Sequence, residues 1–205
     1  DYASGLKRVS PLADYVTINI SSPNTPGLRA LQAAEALRSL LERIAAERSR
    51  GRPVLLKIAP DLEPEEIEAI TDLVIEYGLD GMIVSNTTVS RPDGLSSEHR
   101  GESGGLSGRP LRPLALSALR QVARRARGRI DIVGVGGISS GADVYERIRA
   151  GATAVQVYTA FVYQGPFMIR RMLRELGELM ERDGMASLAD AIGADLRLDP
   201  GKSGG

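Results

Sequence analysis

Asparagine, serine and lysine side chains stand where apolar runs give out, and residues of those types can hold a planar ligand and move a proton. In Asn19-Ile20-Ser21-Ser22-Pro23-Asn24-Thr25-Pro26-Gly27, polar Asn19 interrupts an otherwise apolar run. Turn chemistry alone accounts for the Ser, Pro, Asn and Gly that follow. It does not account for Asn19, whose amide is costly to bury without partners. Lys57, within Leu55-Leu56-Lys57-Ile58-Ala59, must meet an anion or give up its proton. That anion is an acid on a neighbouring element or a ligand; at a strand's carboxyl end we read a ligand-facing ammonium. Ser85-Asn86-Thr87-Thr88 is a simple Asx or Ser/Thr turn when taken alone. Joined with the Asn19 group, it gives one mouth two amides and several hydroxyls, which suits a planar polar ligand with amide-like edges. Gly134-Val135-Gly136-Gly137-Ile138-Ser139-Ser140-Gly141 allows close backbone approach, and the N–H groups opening the helix after it could hold an anion. Gln156-Val157-Tyr158-Thr159 closes the last apolar run in the position where barrels often bind phosphate.

These groups need elements to position them. Five short β-rich runs cover 15–20, 54–59, 81–85, 130–135 and 154–159. They are near-continuously apolar, as parallel strands buried on both faces are. Helical patterns follow or separate them at 34–50, 64–77, 114–127, 142–150 and 167–183, with an amphipathic stretch already under way over 6–12. Over 64–77 the apolar stripe is Ile67, Ile70, Leu73, Val74 and Tyr77, with Pro64 at the start and Gly78 as the stop. Helix-to-strand links are read as two or three residues, whereas strand-to-helix links are long, above all 21–33 and 86–113. The long loops leave the carboxyl ends of strands, where parallel α/β proteins bind ligands. Both a doubly wound open sheet and a (β/α)₈ barrel fit, and five units would leave about three of a barrel's eight unaccounted for. The glycine-rich 91–113 is read as a lid, a ligand clamp or plain disorder, and His99 within it as solvent-facing.

Composition narrows the chemistry. The 205 residues are 42% hydrophobic and 25% charged, as in one soluble domain. Lys plus Arg and Asp plus Glu both number 26, so no net basic field argues for nucleic acid. The absence of cysteine removes thiolate nucleophiles, cysteine-ligated zinc and iron–sulfur clusters, and a single histidine removes multi-histidine metal sites, so no metal is expected. No apolar run approaches the roughly 20 residues that span a bilayer. The chain opens on Asp1 with a helix already under way, which reads as a piece of a longer protein.

In register over 13–195, six motifs resemble class 2 (quinone-dependent) dihydroorotate dehydrogenase. They are Asn19 to Thr25 with Gly27-Leu28-Arg29, Lys57-Ile58-Ala59-Pro60-Asp61-Leu62, Asn86-Thr87-Thr88, Gly104-Gly105-Leu106-Ser107-Gly108, Gly134-Val135-Gly136-Gly137 and Tyr158-Thr159. The resemblance implies one FMN-binding (β/α)₈ TIM-barrel domain over 1–205, supplying about strands 4–8. Earlier βα units and a membrane-associating helical pair would belong to the parent protein. It implies oxidation of (S)-dihydroorotate to orotate in pyrimidine (UMP) biosynthesis, with FMN taking a hydride and a quinone reoxidising it. The enzyme would sit peripherally on the cytoplasmic face of a bacterial inner membrane. Ser22 resembles the base that removes the C5 proton, where class 1 relatives use cysteine, and Thr25 could anchor a water relay. Asn19, Ser22, Pro23, Asn24, Asn86 and Thr87 look like substrate-binding residues. Asn19, Lys57, Ser85, Gly108, Gly137, Tyr158 and Thr159 look like FMN ligands, Gly137, Tyr158 and Thr159 near the ribityl phosphate. The competing readings are another FMN barrel oxidoreductase and a non-redox phosphate-binding βα-barrel lyase or isomerase.

Overall fold

Strands β1 (Val16–Asn19), β2 (Val54–Ile58), β3 (Gly81–Val84), β4 (Asp131–Val135) and β5 (Ala154–Gln156) pair in parallel, side by side in chain order. The computed structural model describes residues 1–48 and 51–198, so the expected helical residues 49–50 and the tail 199–205 lie outside it. Helix α1 (Tyr2–Val9) precedes β1, and α2 (Ala34–Glu47), α3 (Pro64–Glu76), α4 (Arg112–Ala126) and α5 (Gly141–Arg149) are the four crossovers. After β5 come α6 (Thr159–Gln164), α7 (Phe167–Arg182), α8 (Leu188–Ala191) and α9 (Ala194–Leu198). A doubly wound sheet reverses its strand order at a switch point. The order here never reverses, which is the barrel arrangement of successive βα units.

Local chemistry sets the helix boundaries. In α3, Pro64 fits the first turn, Glu63 and Glu66 cap one another's backbone, and Gly78 ends the helix at φ +66°. In α5, the Ser140 hydroxyl accepts from the Asp143 amide at 3.2 Å while the Asp143 carboxylate accepts from the Ser140 amide at 3.0 Å.

The pleat then sorts the strand residues into two faces. Ile18, Leu56, Ile58, Met82, Val84 and Ile132 are no more than 3% exposed and pack on Leu37, Leu41, Ile67, Ile70, Leu119 and Val122 of the helices. Burying each such side chain contributes about 1.5–3 kcal/mol. On the opposite face the register sets Asn19 beside Lys57, Lys57 beside Ile83 and Ile83 beside Val133. Polar residues of that row gather at the carboxyl end because the other face is committed to the core.

Several expectations need correction. The last strand stops at Gln156 rather than running to Thr159: only 154–156 pair with β4, Tyr158 turns the chain and Thr159 opens α6. The links into β3, β4 and β5 are four residues long (77–80, 127–130 and 150–153), not two or three. The loop 91–113 is not structureless. Thr88 and Leu106 form an antiparallel bridge across its base, and the Arg91 guanidinium donates to the carbonyls of Arg100, Glu102 and Gly104.

Candidate functional site

A cavity of about 640 Å³ opens at the carboxyl ends of β2 to β5. Lys57 of β2, Ser85, Asn86 and Thr87 after β3, Gly108 before α4, Gly137 after β4, and Tyr158 and Thr159 after β5 all line it. Asn19, Ser22, Pro23, Asn24 and Thr25 do not; Asn19 is hydrogen-bonded to its rim through Asn86.

Asn86 makes the join. Its amide donates to Asn19 Oδ1 at 3.3 Å and to Ser21 Oγ at 3.1 Å, while Ser21 Oγ donates to Asn19 Oδ1 at 3.0 Å. The Asn86 amide N–H is held on the Ile58 carbonyl at 2.9 Å and that of Ser85 on Val135 at 3.0 Å, so the turn after β3 is tied to both flanking strands. Ser22 is half-buried on the same loop, its hydroxyl accepting from the Asn24 amide at 3.3 Å. Pro23 and Thr87, both half-buried, lie under the far end of the 91–107 loop, and exposed Asn24 stands beside it. A Cβ added to Gly105 would lie 1.9 Å from Thr87 Oγ1 and 3.0 Å from Pro23 Cγ, and one on Gly104 would lie 3.3 Å from Asn24 Oδ1. Thr25 is exposed at the loop tip. Across the cavity Thr159 Oγ1 donates to Ser107 Oγ at 2.9 Å and closes that side of the rim.

Lys57 is half-buried on the cavity wall. Among the described residues no acid pairs with it, so the ion-pair alternative does not apply. Burial lowers its pKa below the ordinary lysine value.

The glycine turn after β4 presents a free amide. Gly136 and Gly137 have φ of +116° and +71°, and a Cβ on Gly137 would sit 2.6 Å from Arg112 Cβ. From beneath, Arg147 Nη2 donates to the carbonyls of Gly136 at 2.8 Å and Arg112 at 3.0 Å. The C=O and N–H of one trans peptide point in opposite directions. Holding the Gly136 carbonyl toward α5 therefore turns the Gly137 N–H away from it, and that N–H has no acceptor among the described residues. Most amides around the start of α5 are not free, contrary to expectation: those of Ser139, Ser140, Gly141 and Asp143 have acceptors, and that of Ala142 has none among the described residues. Asp143 accepts from the Ser139 and Ser140 amides at 2.8 and 3.0 Å, and Glu175 accepts from Gly141 at 2.6 Å. Burial pushes the Asp143 pKa up, but the hydrogen bonds from Ser139 and Ser140 and the Arg112 charge outweigh it and hold the carboxyl below its usual range. An anion here would meet Gly137 and the backbone of Tyr158 and Thr159, whose Tyr158 side chain is 79% exposed.

Sequence reasoning gave no role to three residues that hold this arrangement. Arg29 donates to the Ser21 carbonyl at 3.1 Å, the Thr87 carbonyl at 2.9 Å and Asp61 Oδ2 at 2.9 Å. Asp61 also accepts from the Thr88 and Ser90 hydroxyls and the Val89 amide. Arg147 is 1% exposed, and its Nη1 has no partner among the described residues. A signal for Arg147 existed: it stands on the apolar stripe of α5 with Val144 and Ile148. His99 is exposed as expected, beside Glu102 at 2.8 Å.

A family model described as Dihydroorotate dehydrogenase matches residues 1–180. "Dihydroorotate dehydrogenase (quinone)" of Rhodospirillum rubrum is 47% identical over 209 residues, covering 100% of this chain and 57% of that protein. The protein of the same name from Erythrobacter litoralis is 53% identical over 196 residues, covering 95% of this chain and 57% of its own length. Among solved structures, the crystal structure of DHODH in complex with ferulenol from Eimeria tenella superposes with a TM-score of 0.92 at 42% identity, over 96% of this chain and 58% of that one. The chain thus spans less than three-fifths of the length of these relatives.

Proposed function

The chain belongs to the dihydroorotate dehydrogenase family, and from that membership we propose that its cavity is part of the site where (S)-dihydroorotate is oxidised to orotate. The reaction serves UMP formation, with FMN as the cofactor and a quinone as the final acceptor. One observation carries the reading: an ammonium and a glycine amide that are both without partners among the described residues share one 640 Å³ mouth with the Asn86 amide, which is clasped to Asn19 at its rim. The residues fit a flavin nucleotide, since glycine backbone meets a phosphate and a fixed cation meets a ring that gains negative charge.

FMN bound here supplies the acceptor for the hydride that leaves C6 of dihydroorotate. Lys57 would hold positive charge beside the ring system, and Gly137, Tyr158 and Thr159 would hold the phosphate end. Ser85 and Gly108 would complete the wall, and Asn19, clasped by Asn86 at the rim, would serve both cofactor and substrate. Asn19, Asn24, Asn86 and Thr87 pair with the donor and acceptor edge of the pyrimidine, which discriminates against analogues lacking those groups. Pro23 shapes the loop beside it. Ser22 takes the C5 proton as the C6 hydride departs, so the C5–C6 double bond of orotate forms with the electrons of the C5–H bond. A serine hydroxyl needs its own proton accepted elsewhere. We assign that relay to water held near Thr25. A quinone is lipid-soluble, so the reading puts the working enzyme against a membrane surface, as a peripheral protein on the cytoplasmic face of a bacterial inner membrane. Among the described residues no helix is long and apolar enough to cross one.

Ser22→Ala in the full-length enzyme tests this. Flavin reduction by dihydroorotate is expected to collapse while orotate still perturbs the flavin spectrum. Reduction at an unchanged rate, or a preparation with no flavin absorbance, overturns the reading.

A further inference from the structure

Arg29 reaches three βα loops with one planar group. Its Nε holds the Ser21 carbonyl at 3.1 Å, Nη2 holds the Thr87 carbonyl at 2.9 Å, and Nη1 is oriented by Asp61 at 2.9 Å. The guanidinium is largely screened from water, with 23% of its side chain exposed and 15% of that of Asp61. The backbone of Arg29 is itself tethered, because Gln32 donates to its carbonyl at 3.5 Å and accepts from the Ala59 amide at 2.8 Å. The Ser21 carbonyl shares a peptide plane with the Ser22 N–H, so fixing the first limits rotation of the second and places the Ser22 Cα. The Thr87 carbonyl fixes the peptide that follows Thr87 in the same way.

We propose that Arg29 is a positioning residue that sets the Ser22 hydroxyl against the Asn86–Thr87 wall. Arg29 does not line the cavity itself. The proposal rests on the reading of Ser22 as the base. The reason for arginine is geometric: a rigid fork serves two carbonyls and a carboxylate in one plane, which a lysine ammonium cannot do. Misplacing a reacting group by about 1 Å costs on the order of 100-fold in rate. The loss should fall on proton abstraction more than on binding, since Asn86 and Thr87 keep their own ties to β2 and to one another.

The test uses the full-length, flavin-loaded enzyme with Arg29→Lys, Asp61→Asn and Ser22→Ala. Flavin reduction is followed by anaerobic stopped flow with dihydroorotate and with its C5-deuterated form. For Arg29→Lys we expect reduction slowed about 100-fold and a larger C5 isotope effect. Orotate affinity should change far less, with flavin content and reduction potential unchanged. Asp61→Asn keeps both carbonyl contacts and should show a smaller loss in the same direction, which keeps the test open should the lysine variant fold poorly. Arg29→Lys at full rate with an unchanged isotope effect overturns the proposal. So does a parallel loss of rate, orotate affinity and flavin content, which would mark a purely structural role. If Ser22→Ala also reduces flavin normally, the reading of the base falls with it; if Ser22→Ala is slow and Arg29→Lys is not, the proposal falls alone.

Discussion

The Asn86 amide reaches across the end of β2 to Asn19 Oδ1, 3.3 Å away and 67 residues distant in sequence. The contact joins the turns after β1 and β3 above Lys57, which is Asn19's neighbour in the β1–β2 ladder. Asn19 ends β1, Lys57 stands beside it on β2, and Asn86 follows β3.

Removing that amide is expected to weaken ligand binding and spare the cofactor. Leaving a buried hydrogen-bonding group without its partner costs about 1–3 kcal/mol, so Asn86→Ala should raise the orotate dissociation constant by roughly 5- to 150-fold. Titration of orotate against the flavin spectrum measures this, with flavin content as the control.

Lys57 gives a signed pH dependence. Its folded-state pKa lies below the unfolded value because burial disfavours the ammonium. Between the two values the unfolded chain binds the extra proton, so stability contributed by this site rises with pH up to the ordinary lysine range near 10.4. Lys57→Met should flatten that alkaline rise in urea denaturation of the flavin-free protein. In the loaded protein the same change should lower the flavin reduction potential, because a fixed positive charge beside the reduced ring is gone.

Gly105 is expected to tolerate no side chain. A methyl group there would lie 1.9 Å from Thr87 Oγ1 and 2.6 Å from Thr87 Cβ, and such overpacking costs about 1–3 kcal/mol. Gly105→Ala should displace Thr87, weaken orotate binding and lower the melting temperature by a few degrees. Flavin content should be untouched, since Gly137 and Lys57 stand on other strands.

Arg147 should govern the phosphate end. Burial pushes its pKa down to about 10, which leaves it charged at neutral pH. Arg147→Met would strand the Gly136 and Arg112 carbonyls and free the Gly137 peptide to rotate. Comparing FMN with riboflavin isolates the effect: FMN affinity should fall several-fold more than riboflavin affinity. An equal fall for both would mean that the arginine supports the wall and not the phosphate.

The amino-acid sequence by itself determined the alternation of strands and helices, because burial on both faces and helical periodicity are properties of consecutive residues. It also determined which residue types stood at the strand ends: the polar interruption at Asn19, the lysine inside an apolar run, and the glycines of 134–141. The resemblance carried by six ordered motifs supplied the family, and the family comparison bears it out. Boundaries followed less well. The end of β5 depends on where β4 stops offering partners, and that is invisible in the run Ala154 to Thr159.

Only the tertiary structure decided which of these groups meet. Register placed Asn19 beside Lys57, and a turn pinned to Ile58 and Val135 brought Asn86 over both. The amides of Ser140 and Gly141 at the start of α5 looked available in the sequence, and they are already occupied by Asp143 and by Glu175, which stands 34 residues beyond Gly141. Arg29 and Arg147 read as two of 23 arginines in a chain rich in them. Apart from the Arg29–Asp61 pair, their work is done on backbone carbonyls, and every residue has a carbonyl, so no side-chain pattern could have announced those partners. Which carbonyls an arginine reaches is settled by how the chain folds back on itself.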